Sequence, residues 1–314
     1  MPRSTQSPGA NLAALVAPFP QDRTEFAQWF REEEKCLEYL AAVRWRDGFM
    51  CPKCNAVAAW EVGPGLLRCK SCRRLVSVTA RTLLHRTRKP VRDWFEAFWH
   101  LCGQKNGGSA LGLQRVMGFG SYHTSWEWMH RMRRAFVVPP RSKLTGEVEV
   151  DETFIGGVRH GKRGRGAAGK TLVLIAAEIR GVRIGRIRLV VIPDATASTL
   201  IPAVQSLAEP GSNVVTDGLA SYTGLTASGY NHSVSRATPQ VGRNLLPHVH
   251  RVASLLKRWL LGTHQGAVAH DRLQSYLDEF VFRFNRRSSG SRGLLFHRLL
   301  VQVLKSGPVP RTRL

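Results

Sequence analysis

Carboxylates are scarce in this chain of 314 residues. Asp and Glu number 22 against 46 Lys and Arg, a formal net charge of +24. Such an excess repels itself in the compact state, so a polyanionic partner is the expected reason for it. Nucleic acid leads an anionic membrane surface as that partner. Long apolar runs are also lacking, and nothing approaches the ~20 residues of a transmembrane helix. The opening MPRSTQSPGANLAALVAPFP holds one Arg and a broken apolar stretch, a poor secretory leader. A cytoplasmic, nucleoid-associated protein with no membrane partner is expected. Hydrophobic residues still make up 43%, enough for a sizeable core and two or three domains.

Six cysteines are present, at 36, 51, 54, 69, 72 and 102, and four form C-x2-C-x14-C-x2-C. In a cytosolic chain this spacing reads as a metal site rather than as disulfides. Short β-type segments surround the pairs, so residues 49–80 are expected to form a zinc ribbon with one structural Zn²⁺ on Cys51, Cys54, Cys69 and Cys72. Lys53, Arg68, Lys70, Arg73, Arg74 and Arg81 favour a nucleic-acid contact there.

Residues 1–22 have the Pro, Ser and Gly content of a disordered tail, and 24–43, within an N-terminal segment 23–48, read as one helix. In the helical stretch 91–137, helices at 109–117 and 122–136 flank GFGS, the spacing of a helix-turn-helix. His123, Thr124, Ser125, Glu127 and His130 are then the groove-facing candidates, and Arg131, Arg133 and Arg134 the phosphate contacts.

From 147 the texture changes to β-branched strands at 147–157, 171–179, 182–194 and 212–218, with helices at 198–208, 251–262 and 270–287. The order implies an α/β layer fold. GRGAAGKT (164–171) matches the phosphate-loop pattern G-x-x-x-x-G-K-[ST]. That loop needs a strand before it and a helix after it. Here a Gly- and Arg-rich stretch precedes and a strand follows, so no nucleoside triphosphate is expected. Arg159, Lys162, Arg163, Arg165 and Lys170 would track a DNA backbone instead.

With few carboxylates to spare, their placement carries weight. Asp151 and Asp217 each close an expected strand, and on neighbouring strands they would converge at one sheet edge. Convergent carboxylates suit Mg²⁺ or Mn²⁺, and two such ions cut phosphodiesters in line. The helix at 270–287 offers Asp278, Glu279 and Asn285 as a third ligand, and periodicity does not choose among them.

VEVDETFIGG, GKRGRG, VVTDG, LDEFVFRFNRR and CLEYLAAVRWRDGFMCPKC together resemble the bacterial insertion-sequence transposases of DDE type, in the branch with an N-terminal zinc ribbon related to the Merlin transposons. The likeness covers about residues 24–300. It implies an RNase H-like (retroviral-integrase-like) catalytic domain at 145–300, followed by a basic tail at 301–314. By resemblance Asp151 and Asp217 are the first two catalytic ligands and Asn285 the third, with Glu279 and His250 as alternatives. The three would hold two Mg²⁺ or Mn²⁺ ions. Such enzymes carry a basic residue seven places beyond the third ligand, which Arg292 supplies for Asn285 and Arg286 for Glu279. Relatives have Ile-Glu where this chain has Val249-His250, making His250 an auxiliary ligand, a phosphate contact or a helix-entry residue. The implied activity is metal-dependent DNA strand cleavage and transesterification at terminal inverted repeats by a homo-oligomer pairing two DNA ends. Basic residues at 159–170 and 283–298 would hold the strands. A non-catalytic or domesticated zinc-ribbon DNA-binding regulator is the alternative.

Overall fold

In the computed structural model, which describes residues 18–136, 142–156, 170–236, 245–266 and 268–309, Asp22 starts the first helix. Its Oδ1 accepts the Thr24 and Glu25 amides, donors the helix itself cannot satisfy. Helix α1 (Arg23–Trp29) stops at Phe30, and α2 (Glu33–Arg44) restarts after an extended Glu32. The single helix expected over 24–43 is therefore two. The break brings Glu33 into position to cap a later helix, for its carboxylate accepts the Val91 and Arg92 amides. Three short antiparallel strands follow, β1 (Ala59–Gly63), β2 (Leu66–Cys69) and β3 (Leu75–Ser77). Beyond them come α3 (Val91–Gly103), α4 (Ala110–Met117) and α5 (Tyr122–Ala135).

The chain divides into two units. One holds the residues up to Gln104, Leu113–Phe119 and those from Ser289 on; the other holds Lys105–Gly112 and Gly120–Ser288. The two helices of the expected helix-turn-helix are thus not in one unit. Leu113–Met117 of α4 group with the ribbon, while α5 is tied to the second unit by its own buried contacts.

The second unit is mixed α/β. Strands β4 (Glu147–Ile155), β5 (Thr171–Arg180) and β6 (Arg183–Ile192) form an antiparallel meander turning at Gly181, where φ is +60°. After α6 (Ala197–Leu207), β7 (Asn213–Thr216) pairs parallel to β4, and β8 (Asn231–Val234) parallel to β7. The sheet order is β6-β5-β4-β7-β8. Side chains alternate across a strand, so Val148 and Val150 join the core under α6, while Ile155 joins the opposite core. That second core is covered by α7 (Pro247–His264) and α8 (Leu273–Phe284), through Val249, Val252 and Leu256 and through Leu277, Phe280 and Phe284. Each such buried side chain contributes about 1.5–3 kcal/mol by leaving water.

The last helix, α9 (Arg292–Lys305), returns to the first unit. Its Phe296 ring lies 5.3 Å from Phe26, 5.8 Å from Phe30, 5.4 Å from Phe95 and 5.6 Å from Trp99. A Cβ on Gly293 would fall 1.5 Å from the Pro20 carbonyl oxygen, so only glycine lets the two segments approach. Phe19, Pro20 and Asp22, expected in a disordered tail, are thus engaged. Residues 1–17 lie outside the described set, as do 310–314 of the expected basic tail. Within 301–309, Val303 is buried on α9 rather than part of a tail.

Candidate active site and metal centres

Both cysteine pairs sit in turns of one design. The residue four beyond the leading cysteine has positive φ, +59° at Asn55 and +60° at Arg73. Its amide donates to that cysteine's carbonyl oxygen, Cys51 or Cys69, at 2.9 and 3.1 Å. The four Sγ atoms lie within 4.8 Å of one another, with Cys51 and Cys72 at 3.5 Å and Cys54 and Cys69 at 3.6 Å. Tetrahedral zinc with Zn–S near 2.3 Å spaces its sulfurs by about 3.8 Å. The set therefore fits one structural Zn²⁺.

The second centre is on the sheet. The last pair of the β4/β7 register is Glu149 with Val215; Asp151 and Asp217 lie two residues further along their segments, near enough that the Asp217 charge acts on Asp151. Burial pushes the Asp151 carboxyl above its ordinary value, and the Asp217 charge pushes the same way, against the Glu152 amide and His250. From α7, His250 brings Nε2 to 3.1 Å from Asp151 Oδ2. Asp217 turns Oδ1 to the Leu219 amide at 3.1 Å. Among the described residues only the four cysteines gather three or more donor atoms as tightly as 4.8 Å. Two carboxylates from neighbouring segments, one of them with an imidazole beside it, carry net negative charge, which suits a divalent cation.

Glu149, two residues before Asp151 on the same face, fixes where His250 arrives. Its Oε2 accepts the His248 and Val249 amides at 2.9 and 2.8 Å, and Oε1 meets His248 Nδ1 at 2.7 Å. A buried carboxylate at a helix N-terminus takes up orphan donors and opposes the positive end of the dipole. Glu149→Gln removes that charge. The expected result is a loss of about 0.5–2 kcal/mol in stability and a 10–100-fold fall in turnover with DNA affinity unchanged. Kinetics and thermal melts on the same preparation check it.

The expected third ligands on α8 are elsewhere. Asn285 Oδ1 accepts the Ile187 amide at 2.7 Å, and its Nδ2 donates to the Ile187 carbonyl at 3.1 Å. Gln274 bonds Val191 and Leu189 in the same manner, and also Asp278. These amide side chains occupy the open edge of β6, which an unpaired strand must protect. Because β5 lies between β6 and β4, Asn285 is not brought to Asp151 and Asp217. Glu279 is not there either. It is fully buried, at 2.9 Å from Arg133 Nε and 3.0 Å from Arg283 Nε. Of Asn285, Glu279 and His250, His250 is the one beside Asp151.

With His250 in that position, the basic residue seven places on is Lys257, which sequence reading passed over. Burial and Lys170 lower its pKa while Asp151 raises it, so Lys257, Lys170 and Asp151 share one electrostatic neighbourhood. Glu149 and His248 were also missed, since their pairing spans 99 positions and leaves no local pattern. Helix α8 begins at Leu273 after a 3₁₀ turn at His270–Arg272.

The nucleic-acid candidates divide by exposure. His123 and Arg134 are exposed and Thr124 partly so, whereas Ser125 and His130 are buried. Burial, with Arg133 nearby, drops the His130 pKa to about 3. Arg133 is spent on Glu279, with its guanidinium 3.9 Å from the Tyr276 ring centroid. Arg131 is partly buried, and its Nε is buried without a hydrogen bond. Arg286 lies over the Phe282 ring at 4.0 Å. Arg292, exposed at the start of α9, belongs to the first unit. Arg159, Lys162, Arg163 and Arg165 lie outside the described residues. Lys170 leads directly into β5, so no helix follows the phosphate-loop-like stretch.

Residues 143–285 match the ISXO2-like transposase domain, and residues 31–75 match the transposase zinc-ribbon domain. A relative described as an uncharacterized protein in transposable element ISH50, from Halobacterium salinarum, is 28% identical over 279 residues, which cover 81% of this chain and 91% of the relative. The first match ends near Ser288, where the structure divides the chain, short of the boundary at 300 expected from the sequence. No helix among the described residues is long and apolar enough to cross a membrane.

Proposed function

We propose, from the likeness of residues 143–285 to the ISXO2-like transposase domain and of residues 31–75 to the transposase zinc-ribbon domain, that the chain is an insertion-sequence transposase of DDE type that cuts and rejoins double-stranded DNA at the terminal inverted repeats of its element. The observation that carries this is the contact of His250 Nε2 with Asp151 Oδ2 at 3.1 Å, with Asp217 just past the end of the neighbouring strand and its charge acting on Asp151. The sheet order, three antiparallel strands followed by two strands parallel to the first, supports an RNase H-like catalytic domain.

Asp151, Asp217 and His250 would hold the catalytic divalent metal, Mg²⁺ or Mn²⁺. When bound, two such ions would supply activation of the attacking water and stabilisation of the leaving oxygen. The protein's own groups do the rest. Glu149 keeps the start of α7 against β4, so His250 stays beside Asp151. Lys257 and Lys170 offset phosphate charge next to the carboxylates. The ribbon, with Lys70 and Arg73 over the Trp60 ring at 5.7 and 4.6 Å, contacts DNA in its own unit, and exposed His123 and Arg134 do so in the other. Water and then the freed 3′-OH are the nucleophiles, so no covalent protein intermediate is involved. Two DNA ends call for a homo-oligomer. No nucleoside triphosphate enters the reaction.

The test uses the full chain, zinc-loaded, with duplexes ending in the inverted repeats that flank its gene. Wild type should nick at the repeat end in the presence of divalent metal and join the 3′-OH to target DNA. Removing one electrostatic partner of a transition state already costs about 10²–10³-fold, and Asp217→Ala should cost at least that while leaving the binding constant for the repeat unchanged. A wild-type protein that binds repeats but never cuts them is the zinc-ribbon regulator instead.

A further inference from the structure

The ribbon sheet has two faces of opposite character. Its register sets Trp60 opposite Arg68 and Arg68 opposite Leu75, one row across all three strands. Opposed residues share a face, and successive residues along a strand do not. The adjoining row is Glu61, Leu67 and Val76, and there Leu67 and Val76 join the cluster around Cys51 and Cys69. The cysteines and their core thus lie behind the sheet. The outer face presents an aromatic ring, a cation and an aliphatic side chain in line, all exposed, Trp60 at 41% and Leu75 at 50%. We propose that this face takes the unpaired bases of a DNA strand rather than an intact duplex. The proposal rests on the reading above that the ribbon contacts DNA, and names the form of DNA it takes.

Charge selects a polyanion. Arg73 and Lys70 stand at the cysteine end of the row, 4.6 and 5.7 Å from the Trp60 ring centroid. Among the described residues neither they nor Arg68 form an ion pair with a carboxylate. Three cations without carboxylate partners are complementary to a phosphate backbone. Arg73 is set in place by the second cysteine turn, where its φ is +60° and its amide donates to the Cys69 carbonyl. The matching position of the first turn is Asn55, a residue type that enters the left-handed region readily. Arginine has no such ease there, yet at this position its guanidinium reaches Trp60.

Shape selects the unpaired form. An exposed ring among cations is a stacking platform, since every base has a π face and every nucleotide a phosphate. Arginine planes extend such a platform, because unstacked bases lie on guanidinium groups as well as on rings. An intact duplex hides those base faces inside its own stack. Its major groove, about 12 Å wide, admits a helix or a two-stranded ribbon. Three strands about 4.8 Å apart put the outer strand axes about 10 Å apart before any side chain is added, so this face cannot enter broadside. A nicked repeat end frays, and the reaction proposed above therefore generates the ligand.

The experiment is fluorescence anisotropy on the full, zinc-loaded protein with no added Mg²⁺ or Mn²⁺, so that binding is read without cutting. The probes share one repeat sequence: an intact duplex, the same duplex with a forked end of unpaired bases, and the unpaired strand alone. Wild type should prefer the forked probe to the intact one. Trp60→Leu should shrink that preference by about fivefold or more, the lower end of what one stacked base is worth, and Trp60→Phe should keep most of it. Trp60 lies on the outer face, so the zinc content of each variant should match wild type. Irradiated 5-bromodeoxyuridine in the fork should crosslink at Trp60. Trp60→Leu weakening intact and forked probes alike, with the preference unmoved, overturns the inference and leaves the ribbon as a duplex contact. Affinity for all three probes indifferent both to Trp60→Leu and to Arg68→Ala with Lys70→Ala overturns the ribbon's contact with DNA and the inference together. Cleavage by wild type tests the transposase reading separately.

Discussion

Stripping zinc from the protein is expected to unfold the ribbon outright. The buried hydrophobic cluster there consists of Phe49, Cys51, Cys69 and Val76, so two of its four members are the ligands themselves. Its strands span five, four and three residues. Segments below about 40 residues cannot bury enough surface to fold without a metal or a disulfide. Structural zinc in such segments is worth about 10–16 kcal/mol at neutral pH, as much as the whole stability of a typical domain. A strong chelator should expose Trp45, which packs on this cluster, and red-shift its fluorescence. Cys69→Ser should give the same spectrum with no chelator and no bound zinc. The second unit's sheet has its own cores and should keep its far-ultraviolet signature. A chelated protein with unchanged fluorescence would mean that the ribbon stands without its metal.

Replacing Glu279 by alanine should cost about 3–5 kcal/mol, the penalty for leaving a buried charge without its partner. Here two charges are stranded, Arg133 at 2% side-chain exposure and Arg283 at 16%. Burial works against ionisation of Glu279, but Arg133 and Arg283 outweigh it and hold the carboxyl below its ordinary range. A folded-state pKa depressed in this way stabilises the protein above the unfolded-state value, and the contribution is lost as pH falls through the folded value. The wild-type melting temperature should therefore fall on acidification, and that part of the slope should be missing in Glu279→Ala. For a unit of this size 1 kcal/mol shifts the midpoint by roughly 2–4 °C, so a drop of about 6–20 °C is expected. A metal ligand would behave oppositely, losing cleavage with the melting point unmoved. Converting the pair to apolar residues, Glu279→Leu with Arg133→Met, should recover much of the loss.

The contrast between the two centres shows what a sequence carries. Cysteine spacing is local, and C-x2-C-x14-C-x2-C named its four ligands without a fold. Asp151 and Asp217 were expected to close strands; Asp217 does follow β7, whereas Asp151 is the middle residue of β4. Their adjacency then needed only that two strands be neighbours. The third position failed on long-range grounds. Asn285 lies in the segment resembling the family's, yet its amide is consumed by the β6 edge, and nothing near residue 285 announces that edge. His250 was kept as an alternative ligand just outside the helix expected at 251–262, whereas Pro247 and the Glu149 carboxylate start the helix earlier. Strand β8, Asn-His-Ser-Val, is a polar edge strand without the alternation that marks a half-buried one. Helix α9 was legible and overlooked, for Leu295, Phe296, Leu299, Leu300 and Val303 repeat at helical spacing. They were absorbed into a basic segment on the strength of their charged neighbours.

That last helix sets the order in which the protein comes into being during translation. The unit carrying the ribbon is made from both ends of the chain, and the aromatic cluster of Phe26, Phe30, Phe95 and Trp99 closes on Phe296. Tyr39 likewise waits for His297, and Leu83 for Val303. The ribosome releases the carboxylate-bearing sheet before it releases α9. At roughly 5–20 residues per second, the unit synthesised first stays incomplete until after the unit synthesised second. A prematurely terminated product carries the ribbon's cysteines but lacks the helix that closes the core beside them. Full-length synthesis is thereby a condition for closing the aromatic core of the N-terminal unit.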